Sequence, residues 1–150
     1  DPETEETRTD YSSYSEFRED VMMGILPETE PESAKNYKYY KYVDEDTNCF
    51  EYVISFEVNK EDLKSLQKYA DSQMSTSNDL VKDIKNEEIK VGFLDKEELT
   101  SVQQFITSPR GFTVYRYTRN DNSDKTFRTG FLYNKDSGQV VIFDITRKTS

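Results

Sequence analysis

Residues 50–58 read Phe-Glu-Tyr-Val-Ile-Ser-Phe-Glu-Val. Phe50, Tyr52, Ile54, Phe56 and Val58 take every second position. Glu51, Ser55 and Glu57 fall between them, with Val53 the one apolar exception. Side chains of a strand point alternately to opposite faces, so this spacing puts five large apolar groups on one side of a strand. The five are expected to be mostly buried against the core of a sheet. A chain with this segment has to build that sheet, and the remaining sequence must supply its partners and its cover.

The partners are legible on both sides. Asn36 to Val43 carries Tyr37, Tyr39, Tyr40 and Tyr42, with aromatics on both faces, and the polar link Asp44 to Asn48 makes a hairpin with the strand that follows. Near the C-terminus, Gly111 to Arg119, Lys125 to Asn134 and Gln139 to Arg147 form a meander, with a tight turn at Asp136-Ser-Gly138. Val140-Val-Ile-Phe143 with Ile145 is apolar on both faces, so this strand sits centrally or is covered on both sides.

The cover is helical. Phe17, Val21, Met22 and Ile25 suggest a helix over Ser15 to Ile25, stopped by Pro27. Asn59 is the expected N-cap of a second helix, with Val58 and Leu63 as a hydrophobic staple and Leu63, Leu66 and Ala70 as its stripe. Asp95 and Glu98 read as a capping box for a third helix reaching Thr107, which buries Leu99, Val102, Phe105 and Ile106. Between these, Asp79 to Lys85 reads as a helical turn and Glu88 to Phe93 as a short strand. The expected fold class is α+β: an antiparallel sheet of about five strands, N-terminal hairpin plus C-terminal three-stranded meander, with helices packed mainly on one face.

Residues 1–12 read as a flexible acidic tether, because their first ten include no aliphatic or aromatic residue. Residues 13–150 then form a single domain; a division at Asp71 to Asn78 is the alternative. A polar opening of this kind suits the stretch that follows the lipidated cysteine of a bacterial surface lipoprotein.

Composition decides what chemistry this chain can carry. Only 33% of residues are hydrophobic, but 11 Tyr and 9 Phe supply large rings that bury more area each than aliphatics do. Lys and Arg number 20 against 30 Asp and Glu, a net charge of -10, which opposes nucleic-acid binding. There is no histidine, so histidine-ligated metals, histidine triads and Cys-His dyads are excluded within this chain. The single cysteine, Cys49, reads as a small buried hydrophobe. No apolar run reaches the length of a membrane span.

Two loops place oxygen ligands at alternate positions, Asp44-x-Asp46-x-Asn48 and Asn120-x-Asn122-x-Asp124. A calcium loop of the EF-hand type also needs Gly at position six and Glu at position twelve. Cys49 and Ser55 stand there in the first loop, Lys125 and Phe131 in the second, so no metal is expected. No cofactor is expected either, since the five glycines build no phosphate loop. The segment Tyr37 to Tyr42 alternates rings with lysines and suits stacking on sugars or peptides, although strand aromatics are more often core.

Leu26-Pro27, Pro31-Glu-Ser-Ala-Lys-Asn36, Tyr37-Lys-Tyr-Tyr40, the strand ending Phe56-Glu-Val58 with its capped helix, and Gly130-Phe-Leu-Tyr133 followed by Gln139-Val-Val-Ile-Phe143 together resemble a group of uncharacterised surface proteins and lipoproteins of Firmicutes. The acidic first linker and the Tyr-heavy first strand depart from that group. The resemblance implies location and fold, namely a small α+β domain at the surface of a Gram-positive bacterium, and carries over no functional residue.

The expected function is therefore a non-enzymatic, extracellular binding or accessory domain, with a lipid anchor upstream of Asp1 and a protein or small ligand as partner. The alternative is a cytoplasmic acidic inhibitor that masks a basic partner, as an immunity protein does. A hydrolase built on carboxylates is neither indicated nor excluded by their spacing. The expected binding face comprises Tyr40, Tyr42, Tyr115, Tyr117 and Arg128, on a sheet face that the helices leave open unless the first helix folds over it.

Overall fold

A computed structural model describes residues 2–74 and 81–149. The chain runs β1 (Glu5–Arg8), α1 (Tyr14–Asp20), β2 (Lys35–Asp44), β3 (Cys49–Glu57), α2 (Lys60–Gln73) and β4 (Val81–Glu88). A 3-10 turn (Glu97–Leu99) leads into α3 (Thr100–Gln103), then β5 (Phe112–Asp121), β6 (Lys125–Asn134) and β7 (Gln139–Lys148). All strands join one antiparallel sheet in the order β1-β2-β3-β7-β6-β5-β4. β7 is central, as its two-sided apolar pattern requires.

The sheet has seven strands rather than about five. The two additional strands are its edges. β1 lies inside the expected tether, where Glu5 pairs with Asp44 and Arg8 with Lys41. Its cohesion is polar: Tyr42 donates to Glu5 at 2.6 Å, Lys41 to Glu6 at 3.3 Å and Thr4 to Asp44 at 2.7 Å. A strand held by charge and backbone pairing leaves no apolar alternation to read. β4 replaces the helical turn expected over residues 79–85 and the strand expected from Glu88 to Phe93; Asp79 and Leu80 lie outside the described residues. Its pairing with β5, Val81 opposite Asn120 and Glu88 opposite Thr113, supplies the order that its own composition lacks.

The helices cover both faces, not one. On face A, α1 contributes Tyr14 and Phe17, and α2 contributes Leu66 and Ala70, against Tyr39, Ile54, Phe56, Phe131, Val140 and Ile142 of the sheet. On face B, Leu99, Val102, Phe105 and Ile106 pack against Val53, Val114, Leu132, Val141, Phe143 and Ile145. The period-two set of β3 is split by depth. Ile54, Phe56 and Val58 are buried, while Phe50 and Tyr52 are half-buried and stack with ring centres 4.5 Å apart.

α1 stops at Asp20, short of the expected Ile25. Ser13 caps its start by accepting from the Glu16 amide, and Val21 is already extended. Val21, Met23 and Ile25 then point inward while Met22 and Gly24 are exposed. The chain leaves the helix here through turns, with Met23 N bonded to Val21 O at 3.2 Å and Leu26 N to Met23 O at 3.1 Å, and this path buries all three. Asn59 does cap α2, accepting from the Asp62 amide at 2.9 Å. Asp95 caps nothing. The 3-10 turn begins after Lys96 without a side-chain cap, and α3 has only four residues. Leu99, Val102 and Phe105 are each three apart, a spacing that a 3-10 turn lines up as well as an α-helix does. The tight bonds Phe105 N to Val102 O (3.1 Å) and Ile106 N to Gln103 O (3.1 Å) take that option.

Candidate functional site

The five residues of the expected binding face do not share an open surface. β5 carries a bulge: Val114 pairs with Leu132 and Arg116 with Phe131, leaving Tyr115 as the extra residue. The bulge turns Tyr115 and Arg116 together toward face A. There Tyr115 donates to Asp71 at 2.6 Å, and Arg116 donates to Asp71 at 2.9 Å and to the Met74 carbonyl at 3.3 Å, clamping the end of α2. Burial and the bond to Asp71 push the Tyr115 hydroxyl up to about 12.

Tyr117, two residues on, lies on face B and is wholly buried. Its cover is Phe93, edge-on at 5.1 Å, and not the first helix. Arg128 is buried on the same face, where it bonds Asp121, Glu98 (3.3 Å) and the Phe127 carbonyl (2.9 Å). That bond from Arg128 holds the Asp121 carboxyl below its ordinary range. The expected positive patch is therefore a buried ion-pair cluster. Tyr40 is half-buried against the face B cluster, and Tyr42 bonds Glu5 at the sheet edge. The lysine between them, Lys41, is buried on the other face, bonded to Asp20 at 2.9 Å. Tyr37 and Tyr39 stack on each other at 5.7 Å within the face A core.

In each of the two calcium-like loops one candidate ligand is turned onto its own chain. Asp44 accepts from the Asp46 amide and from Thr47, and Asn122 accepts from the Asp124 and Lys125 amides. Among the described residues no group of three or more His, Cys, Asp or Glu could hold a metal. No described helix is long and apolar enough to cross a membrane.

A concavity lies elsewhere, at the end of the sheet where β4 finishes and β5 begins. It is an open groove of about 1090 Å³. Three segments form it: Glu88 to Asp95, Ser108 to Thr113, and the β6–β7 turn with Lys135 and Asp136. A second cavity of about 300 Å³ lies beside the same turn, lined by Ile84, Phe93, Lys96 and Val114 among others. Val91, between the two, is fully exposed.

The groove's walls are set by local backbone chemistry. Ile89 N bonds Phe112 O at 3.3 Å, so strand pairing continues one step beyond β4 before the chain leaves the sheet. Gly92 (φ +85°) then reverses it, with Phe93 N bonded to Lys90 O at 3.1 Å. Opposite, Gly111 has φ +89°, and a Cβ there would meet Asn134 Nδ2 at 2.9 Å. Asn134 in turn accepts from the amides of Asp136 and Ser137, which fixes the third wall. Ile89, Leu94 and Phe112 give the groove an apolar base; Lys90, Arg110 and Lys135 face it together with Glu88, Asp95 and Asp136. The lining thus balances its charges in a chain with 30 acids and 20 bases. Such a surface suits binding of a segment that presents both signs and some apolar area.

Sequence reasoning passes over this groove because its residues come from turns, where no periodicity marks a buried face. The signals present are the breakers Gly92, Pro109 and Gly111, which mark turns without saying that they converge.

No protein-family model matches this chain, and neither the curated proteins nor the solved structures give a match.

Proposed function

We propose that this chain is a non-enzymatic binding domain that holds a peptide segment of a partner protein in the groove between the Glu88–Asp95 turn and the β6–β7 turn. It works outside the cell, at the cell surface. The observation that carries the binding role is the groove itself: an open concavity with an apolar base, balanced charges and a fully exposed Val91 at its lip. The extracellular placement rests on the resemblance to Firmicutes surface proteins.

The test is to pan a random peptide library against the whole chain and titrate the enriched sequences by calorimetry. Val91→Asp and Arg110→Glu should each weaken the enriched peptides at least tenfold while leaving the melting temperature within about 1 °C, since both residues are exposed. An absence of enriched sequences, or peptides indifferent to both substitutions, overturns the groove as the site. The net charge of -10 favours a second reading, a cytoplasmic inhibitor that masks a basic partner. The two differ in salt dependence. Binding through the acidic surface weakens steeply between 50 and 300 mM salt, roughly as screening dictates, whereas binding in the charge-balanced groove changes little.

A further inference from the structure

Beyond the groove, toward the other end of β5, face B contains a polar cluster with two donors that have no acceptor among the described residues. Tyr117 is wholly buried, and its hydroxyl has no hydrogen-bond partner among the described residues. Arg119, two residues on and on the same face, has its Nε buried and likewise unpartnered. Directly across from Arg119 in the sheet register stands Arg128. Arg128 is fully engaged: Nε donates to Glu98, both terminal nitrogens donate to Asp121, and one of them also reaches the Phe127 carbonyl. Both nearby carboxylates are therefore bound to Arg128, and Arg119 bonds neither.

We propose that this cluster is a binding site for the carboxylate group of a small organic acid, which accepts from the Tyr117 hydroxyl and from Arg119 Nε. A buried donor without an acceptor is costly, so a fold that keeps two of them two positions apart on one strand face gains from any group that supplies the missing oxygens. The acceptor must be small, because Tyr117 is sealed by Phe93 above it and Phe143 beside it, at 5.1 and 6.1 Å between ring centres. Arg119 is half-buried, which leaves its side chain as the way in from solvent. The planar fork of a guanidinium matches a carboxylate. The site is independent of the groove, and its test does not depend on a peptide partner.

The experiment is thermal unfolding of the full chain in sodium formate, sodium chloride and sodium phosphate at equal ionic strength and pH 7. Formate should raise the melting temperature by a few degrees, saturably, above chloride, because a ligand that binds only the folded state stabilises it. Tyr117→Phe should fold, should melt no lower than the parent without formate, and should lose the formate response. No rise over chloride, an equal rise in Tyr117→Phe, or a larger rise in phosphate than in formate would each overturn the proposal. So would a lower melting temperature for Tyr117→Phe without formate, since the hydroxyl would then already have its partner.

Discussion

The two faces of this sheet solve the same problem with different means. Face A is closed by α2, fourteen residues long with an Asn cap, and by α1, whose Tyr14 and Phe17 join the rings of Tyr11, Tyr37, Tyr39 and Phe56 in edge-on and tilted contacts. Face B is closed by a 3-10 turn and a four-residue helix. A short cover buries less and ends sooner, and what it leaves is informative. At one end of β5 the cover gives way to the groove; toward the other it encloses Tyr117 and Arg128. The groove and the Tyr117 cluster both lie where the cover is short.

The largest expected effect tests that contrast directly. Leu66 of α2 and Leu99 of the 3-10 turn are both buried, at 2% and 0% exposure. Truncation of such a leucine to alanine costs about 2–5 kcal/mol, with the value set by how far the surroundings collapse into the space. Leu66→Ala should fall near the top of that range, because a capped helix holds its place, and Leu99→Ala near the bottom, because a short turn can settle inward. Urea denaturation of both variants measures the difference. Equal losses would mean that face B is as rigid as face A.

The next effect tests a poorly matched carboxyl on face A. Asp144 lies between Tyr52 and Thr129 in the register and receives only a 3.4 Å bond from Thr129. Burial pushes its carboxyl up to about 6. A folded state that holds a proton the unfolded chain has released loses stability as pH rises between the two values. Unfolding free energy should therefore fall from about pH 4 to about pH 6 through this group, by on the order of 2–3 kcal/mol for a shift of this size. Asp144→Asn should be the more stable protein at pH 7.5 and should lose that advantage below about pH 4. Denaturation of both proteins across that range checks it; a constant difference would mean that Asp144 titrates normally.

The smallest effect concerns the caps. Asn59→Ala should cost about 1 kcal/mol, since its side chain bonds the Asp62 amide. Asp95→Ala should stay within about 0.5 kcal/mol, because no cap exists there to lose. A comparable loss at Asp95 would place a longer, capped helix on face B and shrink the contrast between the faces.

What was legible in the sequence follows from how far apart the cooperating residues lie. β2, β3, β5, β6 and β7 were readable to within a residue or two, as each carries its own alternation or turn signal over consecutive positions. So was α2, through Asn59. The edges were not: β1 and β4 are polar, and their order comes from Asp44 and Asn120 on strands far away in the chain. The binding face failed for a similar reason. One bulged residue, Tyr115, moves Arg116 to face A and leaves Tyr117 on face B, and nothing in Val114-Tyr-Arg-Tyr117 marks the extra residue.

By itself, the sequence determined that this chain builds an antiparallel sheet around an aromatic core, and that no histidine-based chemistry can occur in it. Those properties belong to local spacing and to composition, and both are written along the chain. Only the tertiary structure decided which side of the sheet each helix covers, which charges become buried pairs, and that three turns converge on one groove. These depend on residues that meet only in the fold, such as Lys90 and Arg110 lining one groove, or Arg128 bonded to Glu98, whose separation in sequence carries no mark of their nearness in space.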